Sequence, residues 1–210
     1  MKYIYLHGFA SGPVSRKAQF FKERFEERGL KLEIPALDEG DFEGLTVTGQ
    51  LNLIERIAGA MPAILIGSSM GGYLAALYAA RHPEVAKLVM LAPAFYFPRR
   101  WMETLEPARA AAWERDGKMA VFHYSEERMR DIGYQLVRDG GNYEPAPNIT
   151  QPALVFHGLR DDVVPAAYSK EFAAAHPSRV KLRLLDSGHA LTDVLDEIWA
   201  ESETFLLTDL

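Results

Sequence analysis

Three short segments carry the residue types of nucleophilic acyl chemistry. Gly67-Ser68-Ser69-Met70-Gly71 fits the pattern G-x-S-x-G. It follows the apolar run Ala63-Ile64-Leu65-Ile66 and opens an Ala-rich stretch, the strand–turn–helix context in which a serine hydroxyl is held exposed on a sharp turn. Small residues at Gly67 and Gly71 let strand and helix approach closely. Ser68, one position off the elbow, is expected to pack or hydrogen bond instead. Serine is a weak nucleophile, so Ser69 needs a base that is itself oriented by an acid.

His189, in Asp186-Ser187-Gly188-His189-Ala190, falls just after the last strand candidate, where a side chain reaches the C-terminal edge of a sheet. The other five histidines fit that role less well. His82 and His176 end helices and are expected at the surface, and His123 lies in an interrupted stretch with an exposed or packed role. His7 and His157 each precede a glycine at a strand end, where they would brace loops. The acid is expected from the segment His157-Gly158-Leu159-Arg160-Asp161-Asp162-Val163-Val164-Pro165, giving the chain order Ser, Asp, His. Two adjacent aspartates cannot both face one imidazole. Asp161 fits the pattern H-G-x-x-D-x-x-V-P, which leaves Asp162 as a neighbouring polar residue or helix cap. The backbone N–H groups of Phe9, after the first strand, and of Met70, after the serine, are placed to cradle an oxyanion.

The elements that must position these groups read as a parallel α/β layer structure. Apolar runs rich in β-branched residues recur at Tyr3 to Leu6, Leu30 to Ile34, Ala63 to Ile66, Leu88 to Leu91, Leu154 to Phe156 and Val180 to Leu185. Most lack polar alternation, as strands buried on both faces do. Between them lie helical patterns from Ser15 to Arg28, Gln50 to Ala60, Met70 to Arg81, Ala166 to Ala175 and Thr192 to Leu207. The alternation predicts a mostly parallel sheet of about six strands with helices on both faces. The rhythm breaks between residues 95 and 150, with helical patterns around Trp101 to Arg115 and Glu126 to Arg138 but no core strand. That stretch holds nine of the 23 aromatic residues, which predicts a helical lid inserted over the sheet end, with Trp101, Phe122 and Tyr124 as substrate contacts. Residues 1–94 and 151–210 are then the core.

The set H-G-F, G-x-S-x-G-G, H-G-x-x-D-x-x-V-P and S-G-H resembles the α/β-hydrolase superfamily over nearly the whole chain. The start Tyr3-Ile4-Tyr5-Leu6-His7-Gly8-Phe9-Ala10-Ser11 with Lys17-Ala18 is similar to small bacterial YqiA-type esterases. Tyr124-Ser125-Glu126-Glu127 with Asp161-Asp162-Val163-Val164-Pro165 is similar to acyl-protein thioesterase and acyl-glucuronide esterase relatives. The superfamily's eight-stranded pattern is shortened here, because the chain starts directly at the strand leading into the oxyanion loop. The resemblance implies a serine esterase for small to medium acyl esters, with acyl thioesters as the alternative substrate. A non-catalytic ligand receptor on the same fold is the reading of another class.

Composition narrows the partners. The 210 residues suit one domain that buries about 70% of its unfolded surface. A net charge of −6, from 23 Lys+Arg against 29 Asp+Glu, has the wrong sign for nucleic acid. Cysteine is absent, which removes disulfides, thiolate metal sites and cysteine nucleophiles. No H-E-x-x-H, P-loop or dinucleotide fingerprint occurs, so no metal or other cofactor is expected. The N-terminal apolar stretch is shorter than a signal core and no run approaches a membrane span, which makes the cytoplasm the expected compartment.

Overall fold

The computed structural model describes residues 1–207. Strand β1 (Lys2–Leu6) leads through α1 (Arg16–Glu26) to the two-residue β2 (Leu32–Glu33), then α2 (Val47–Ala58), β3 (Ala63–Ser68), α3 (Met70–Ala79) and β4 (Val85–Leu91). The chain continues through α4 (Arg99–Thr104), α5 (Pro107–Asp116), β5 (Lys118–His123), β6 (Arg128–Gly133) and α6 (Gln135–Gly140). It closes with β7 (Ala153–Gly158), α7 (Ala166–Ala175), β8 (Val180–Leu185) and α8 (Leu195–Leu207). No helix among the described residues is long and apolar enough to cross a membrane.

Six strands form one parallel sheet in the order β2-β1-β3-β4-β7-β8. Successive side chains of a strand point to opposite faces, so each central strand feeds two cores. Ile4, Leu6 and Leu65 join α2, α3 and Phe172 of α7 on one face. Tyr3, Tyr5, Ile64 and Ile66 join Phe21 and Phe25 of α1 and Ile198, Trp199 and Leu206 of α8 on the other. Because both faces are covered, β3 and β7 are buried throughout, which is why their sequences read as unbroken apolar runs.

The strand order reverses beside β1. From β1 the chain crosses one face through α1 to β2, then returns over the other face through α2 to β3, on the far side of β1. The loops leaving the carboxyl ends of β1 and β3 therefore diverge, opening a crevice where ligands settle in open α/β sheets. Of the seven non-glycine residues with positive φ among the described residues, five, Ala10, Ser69, Ala92, Tyr96 and Leu191, lie on the loops after β1, β3, β4 and β8. Local backbone strain is thus concentrated at that edge.

Between β4 and β7 one expectation is corrected. The pattern at Trp101 to Arg115 is helical, split into α4 and α5 where Pro107 starts a new helix. The stretch expected to be helical at Glu126 to Arg138 is instead the second arm of an antiparallel hairpin, β5 with β6, followed by the six-residue α6. Trp113, Met119, Ile132 and Leu136 from this segment belong to the same cluster as α2 and α3. The N–H of Tyr124 donates to the carbonyl of Ala10 at 2.8 Å, tying the hairpin to the loop after β1.

Helix ends differ from expectation by a few residues. Helix α2 starts earlier because the Thr46 hydroxyl accepts the Gly49 N–H at 3.0 Å. Ser15 occupies the N-cap position of α1, but its side chain makes no capping bond.

Candidate active site

Ser69 sits between β3 and α3 at φ 53°, ψ −116°, a conformation L-residues avoid. The sharp turn brings α3 hard against the end of β1. A Cβ on Gly71 would lie 2.0 Å from the carbonyl oxygen of Leu6, and one on Gly67 would lie 2.3 Å from that of Gly71. The two glycines of the pattern are therefore demanded by backbone contact. Packing the same turn against β1 sets Gly8 beside Ser69, with room for a Cβ only at 3.5 Å from the Ser69 Cβ.

The loops after β7 and β8 are pressed together in the same way, since a Cβ on Gly158 would meet the carbonyl oxygens of Ser187 at 2.4 Å and Gly188 at 2.5 Å. This contact brings Asp161 and His189 together. Asp161 Oδ2 accepts from His189 Nδ1 at 2.7 Å, and His189 Nε2 lies 3.0 Å from Ser69 Oγ, positioned to accept its proton. The Asp161 side chain is fully buried, whereas the His189 side chain keeps 21% of its surface exposed. Asp162, the rival acid, is exposed, and the carboxylate bonded to His189 is that of Asp161.

Asp161 is held by more than its histidine. Its Oδ1 accepts the N–H groups of Val163 at 2.9 Å and Val164 at 2.8 Å. Oδ2 also lies 3.1 Å from Nε2 of His157, a buried residue whose Nε2–H donates to the Val164 carbonyl at 2.9 Å and whose Nδ1 accepts from Ser169 at 2.8 Å. Burial pushes the Asp161 carboxyl up, but hydrogen bonds from His157, His189 and Val164 outweigh it and hold the group well below the usual carboxylate range.

His7 braces the opposite wall. Its Nδ1–H donates to the Gly8 carbonyl at 2.9 Å and its Nε2 accepts the Leu37 N–H at 3.2 Å. Phe9 follows, and neither its N–H nor that of Met70 has a protein acceptor among the described residues. His123 is buried and packed edge-on to Phe42. His82 stacks on Tyr78. His176, expected at the surface, is buried, donating from Nδ1 to the Phe172 carbonyl at 2.8 Å and accepting the Ile149 N–H at 3.3 Å. The end of α7 is covered by the segment entering β7, which the helix pattern alone does not reveal.

Two cavities meet at Ser69 and share Phe9, Trp101 and Val163 in their walls. The smaller, about 360 Å³, adds Met70, Phe95 and Phe97, with Arg100 and Asp162 at its polar part. The larger, about 770 Å³, is lined by His189, by Phe122 and Tyr124 of the hairpin, and by Ser15, Arg16 and Lys17 of α1. Trp101 packs on Phe9 at 4.8 Å and Trp113 at 4.9 Å between ring centroids, while Phe122 and Tyr124 are 46% and 71% exposed. His157 braces the loop after β7, the role expected of it, and its added contact with the acid was not foreseen; Lys17 is the site residue that motif reading missed. The signal for His157 was its place in the motif that carries Asp161.

Comparison with known proteins places the chain in a family. The chain is 28% identical over 182 residues to the mitochondrial palmitoyl-protein thioesterase ABHD10 of Bos taurus, covering 77% of this chain and 57% of that protein's length. It is 27% identical over 183 residues to the pimeloyl-[acyl-carrier protein] methyl ester esterase of Stenotrophomonas maltophilia, covering 71% of each. Among solved structures it resembles mouse alpha/beta hydrolase domain-containing protein 10, with a TM-score of 0.80 at 20% identity over 98% of this chain and 89% of that one. Est1E from Butyrivibrio proteoclasticus, solved with ferulic acid bound, gives 0.80 at 21% identity over 97% and 87%. These structural likenesses establish the α/β-hydrolase fold. Residues 2–205 match the uncharacterised protein family UPF0227, and the chain belongs to that family.

Proposed function

We infer that the protein is a serine hydrolase of carboxylic esters, working through an acyl-enzyme on Ser69. The observation that supports this most strongly is the unbroken relay from Ser69 Oγ through His189 to the buried Asp161 carboxylate, at 3.0 and 2.7 Å. Asp161 fixes the proton of His189 on Nδ1 and leaves Nε2 free to take the Ser69 proton as the hydroxyl attacks the acyl carbon. The N–H groups of Phe9 and Met70, without an acceptor among the described residues, would donate to the oxyanion. His189 then returns the proton to the departing alcohol, and water, deprotonated by His189, releases the acid.

That proton return assigns the cavities. The leaving oxygen has to reach Nε2 of His189, so the alcohol portion lies in the larger cavity, which His189 lines. The acyl chain then takes the smaller cavity, whose apolar wall of Met70, Phe95, Phe97 and Trp101 suits small to medium chains. The segment between residues 95 and 150 acts in this reading as a lid that supplies walls to both. Thioesters are the second reading, favoured by the Bos taurus relative's name. The cytoplasm is the proposed compartment.

Labelling with a fluorophosphonate tests the reading. One phosphonyl adduct on Ser69, absent in a folded Ser69→Ala variant that has lost ester turnover, is the expected result. A folded wild-type protein that takes up no label is a receptor or scaffold instead, and an adduct persisting in Ser69→Ala moves the nucleophile elsewhere. Paired ester and thioester substrates of matched acyl length then decide the leaving atom.

A further inference from the structure

The larger cavity carries positive charge that the hydrolytic steps leave unused. Lys17 lines it together with Ser69 and His189, and its side chain makes no hydrogen bond or ion pair with any described residue. Arg16 lines it as well, and no Asp or Glu does. The remaining polar side chains there include the hydroxyls of Ser11, Ser15 and Thr192, which can donate. The smaller cavity is different, because its Arg100 is accompanied by Asp162.

Among the described residues no carboxylate pairs with Lys17. The first turn of α1 contains no acidic residue, so Arg16 and Lys17 stand at the positive end of an 11-residue helix, where cations are disfavoured. Burial pushes the Lys17 ammonium down to about 8, and the Asp161 carboxylate only partly opposes this. Asp161 itself is committed, with Oδ1 taken by two backbone N–H groups and Oδ2 by His189. An ammonium held in that state lowers folding stability and gains most from an anion entering the cavity.

We propose that Lys17 determines specificity by binding an anionic oxygen group, a carboxylate or a phosphate, on the alcohol portion of the ester substrate. The proposal rests on the hydrolase reading and on the placement of the leaving group beside His189. It makes the preferred substrate an acyl ester of an acidic alcohol, released as a product with a free hydroxyl and an unchanged negative charge.

Three butyrate esters test it at pH 7: those of 3-hydroxybenzoate, of 3-hydroxyphenyl phosphate and of the neutral 3-hydroxybenzamide. Wild-type protein is expected to favour at least one anionic ester in kcat/KM, mainly through KM, and the favoured one identifies carboxylate or phosphate. Lys17→Gln should lower that preference about tenfold or more, and Lys17→Arg should retain it, as for a lost and a kept charge-assisted hydrogen bond. Because the preference is a ratio within each variant, a general loss of activity cancels. A preference unchanged in Lys17→Gln overturns the proposal, as does a wild-type protein that hydrolyses the neutral ester best. Wild-type protein alone supplies a further measurement: 3-hydroxybenzoate or 3-hydroxyphenyl phosphate should inhibit neutral-ester turnover more tightly than 3-hydroxybenzamide, and equal inhibition by all three overturns the proposal. Failure to hydrolyse any of the three esters overturns the hydrolase reading, and this one with it.

Discussion

Replacing Asp161 with Asn exchanges one carboxylate oxygen for an amide nitrogen, and the surroundings decide which one. Oδ1 accepts two fixed backbone donors, the N–H groups of Val163 and Val164. The Asn carbonyl oxygen must take that place, so its NH2 falls where Oδ2 now accepts from His189 Nδ1 at 2.7 Å. A donor there forces His189 to present a bare Nδ1 and carry its proton on Nε2. Nε2, 3.0 Å from Ser69 Oγ, can then no longer accept the hydroxyl proton. The same exchange in a Ser-His-Asp triad of intact geometry lowers kcat about 10⁴-fold, and a loss of that order is expected here.

Stability should fall as well. The Nε2–H of His157, committed to the Val164 carbonyl, lies 3.1 Å from Oδ2 and would face the amide NH2. Two donors meeting in a buried site cost about 1–3 kcal/mol. Steady-state hydrolysis of a neutral aryl ester reads the first effect, and urea unfolding reads the second. Asp162→Asn, at an exposed position, should stay within about 0.5 kcal/mol of wild type and near its kcat. An Asp161→Asn protein that keeps more than about a tenth of wild-type kcat refutes the assignment of the acid and the tautomer argument together.

Gly71→Ala sets a Cβ 2.0 Å from the Leu6 carbonyl oxygen, between two backbones that cannot both yield. Loss of several kcal/mol is expected, about 3 or more, and a folded variant with an unchanged melting temperature refutes the close-approach argument. Acid should also act through Asp161. Its folded carboxyl titrates far below the unfolded value of about 3.9, so its stabilisation is full above that range and is lost as pH falls through it. The acid limb of stability in Asp161→Asn should accordingly be shallower than in wild type, measured by urea unfolding between pH 5 and pH 2 or so. Trp101→Ala removes a wall common to both cavities, so the dependence of kcat/KM on acyl length, about fourfold per buried methylene, should weaken. If the variant loses thermal stability while its chain-length profile stays unchanged, Trp101 serves the core alone.

The sheet and the Ser69, His189 and Asp161 positions were legible because local pattern and tertiary role coincide there. Strands β3 and β7, buried on both faces, cannot carry polar residues and so announce themselves. The elbow and the β7 loop need glycine where backbones touch, at Gly71 and Gly158, and glycine in a motif is visible without a structure. The hairpin was not legible for the opposite reason. Met129, Ile132 and Leu136 recur at i, i+3 and i+7, a helical period, yet Met129 is exposed and only the other two enter the core. What makes β6 a strand is its pairing with β5 across a turn in which Glu127 takes φ 51°. A charged residue with positive φ leaves no pattern in a hydropathy reading.

Lys17 shows the same limit at the site itself. On an amphipathic helix a lysine at the first turn reads as solvent face, and the neighbouring Arg16 is exposed. Whether the first turn faces water or a cavity depends on how the loop after β1 is drawn against the elbow, where Gly71 lies against the Leu6 carbonyl. Reaction chemistry therefore resides in short segments whose backbone demands are local. On the hydrolase reading, specificity resides in the side chains that separate elements bring to the cavities meeting at Ser69: Trp101 from α4, Val163 from the loop after β7 and Lys17 from α1. Of these elements α1 and α4 carry no member of the relay, whereas the loop after β7 also holds Asp161 through the Val163 N–H, so α1 and α4 are where a family can change the alcohol and the acid while keeping one reaction.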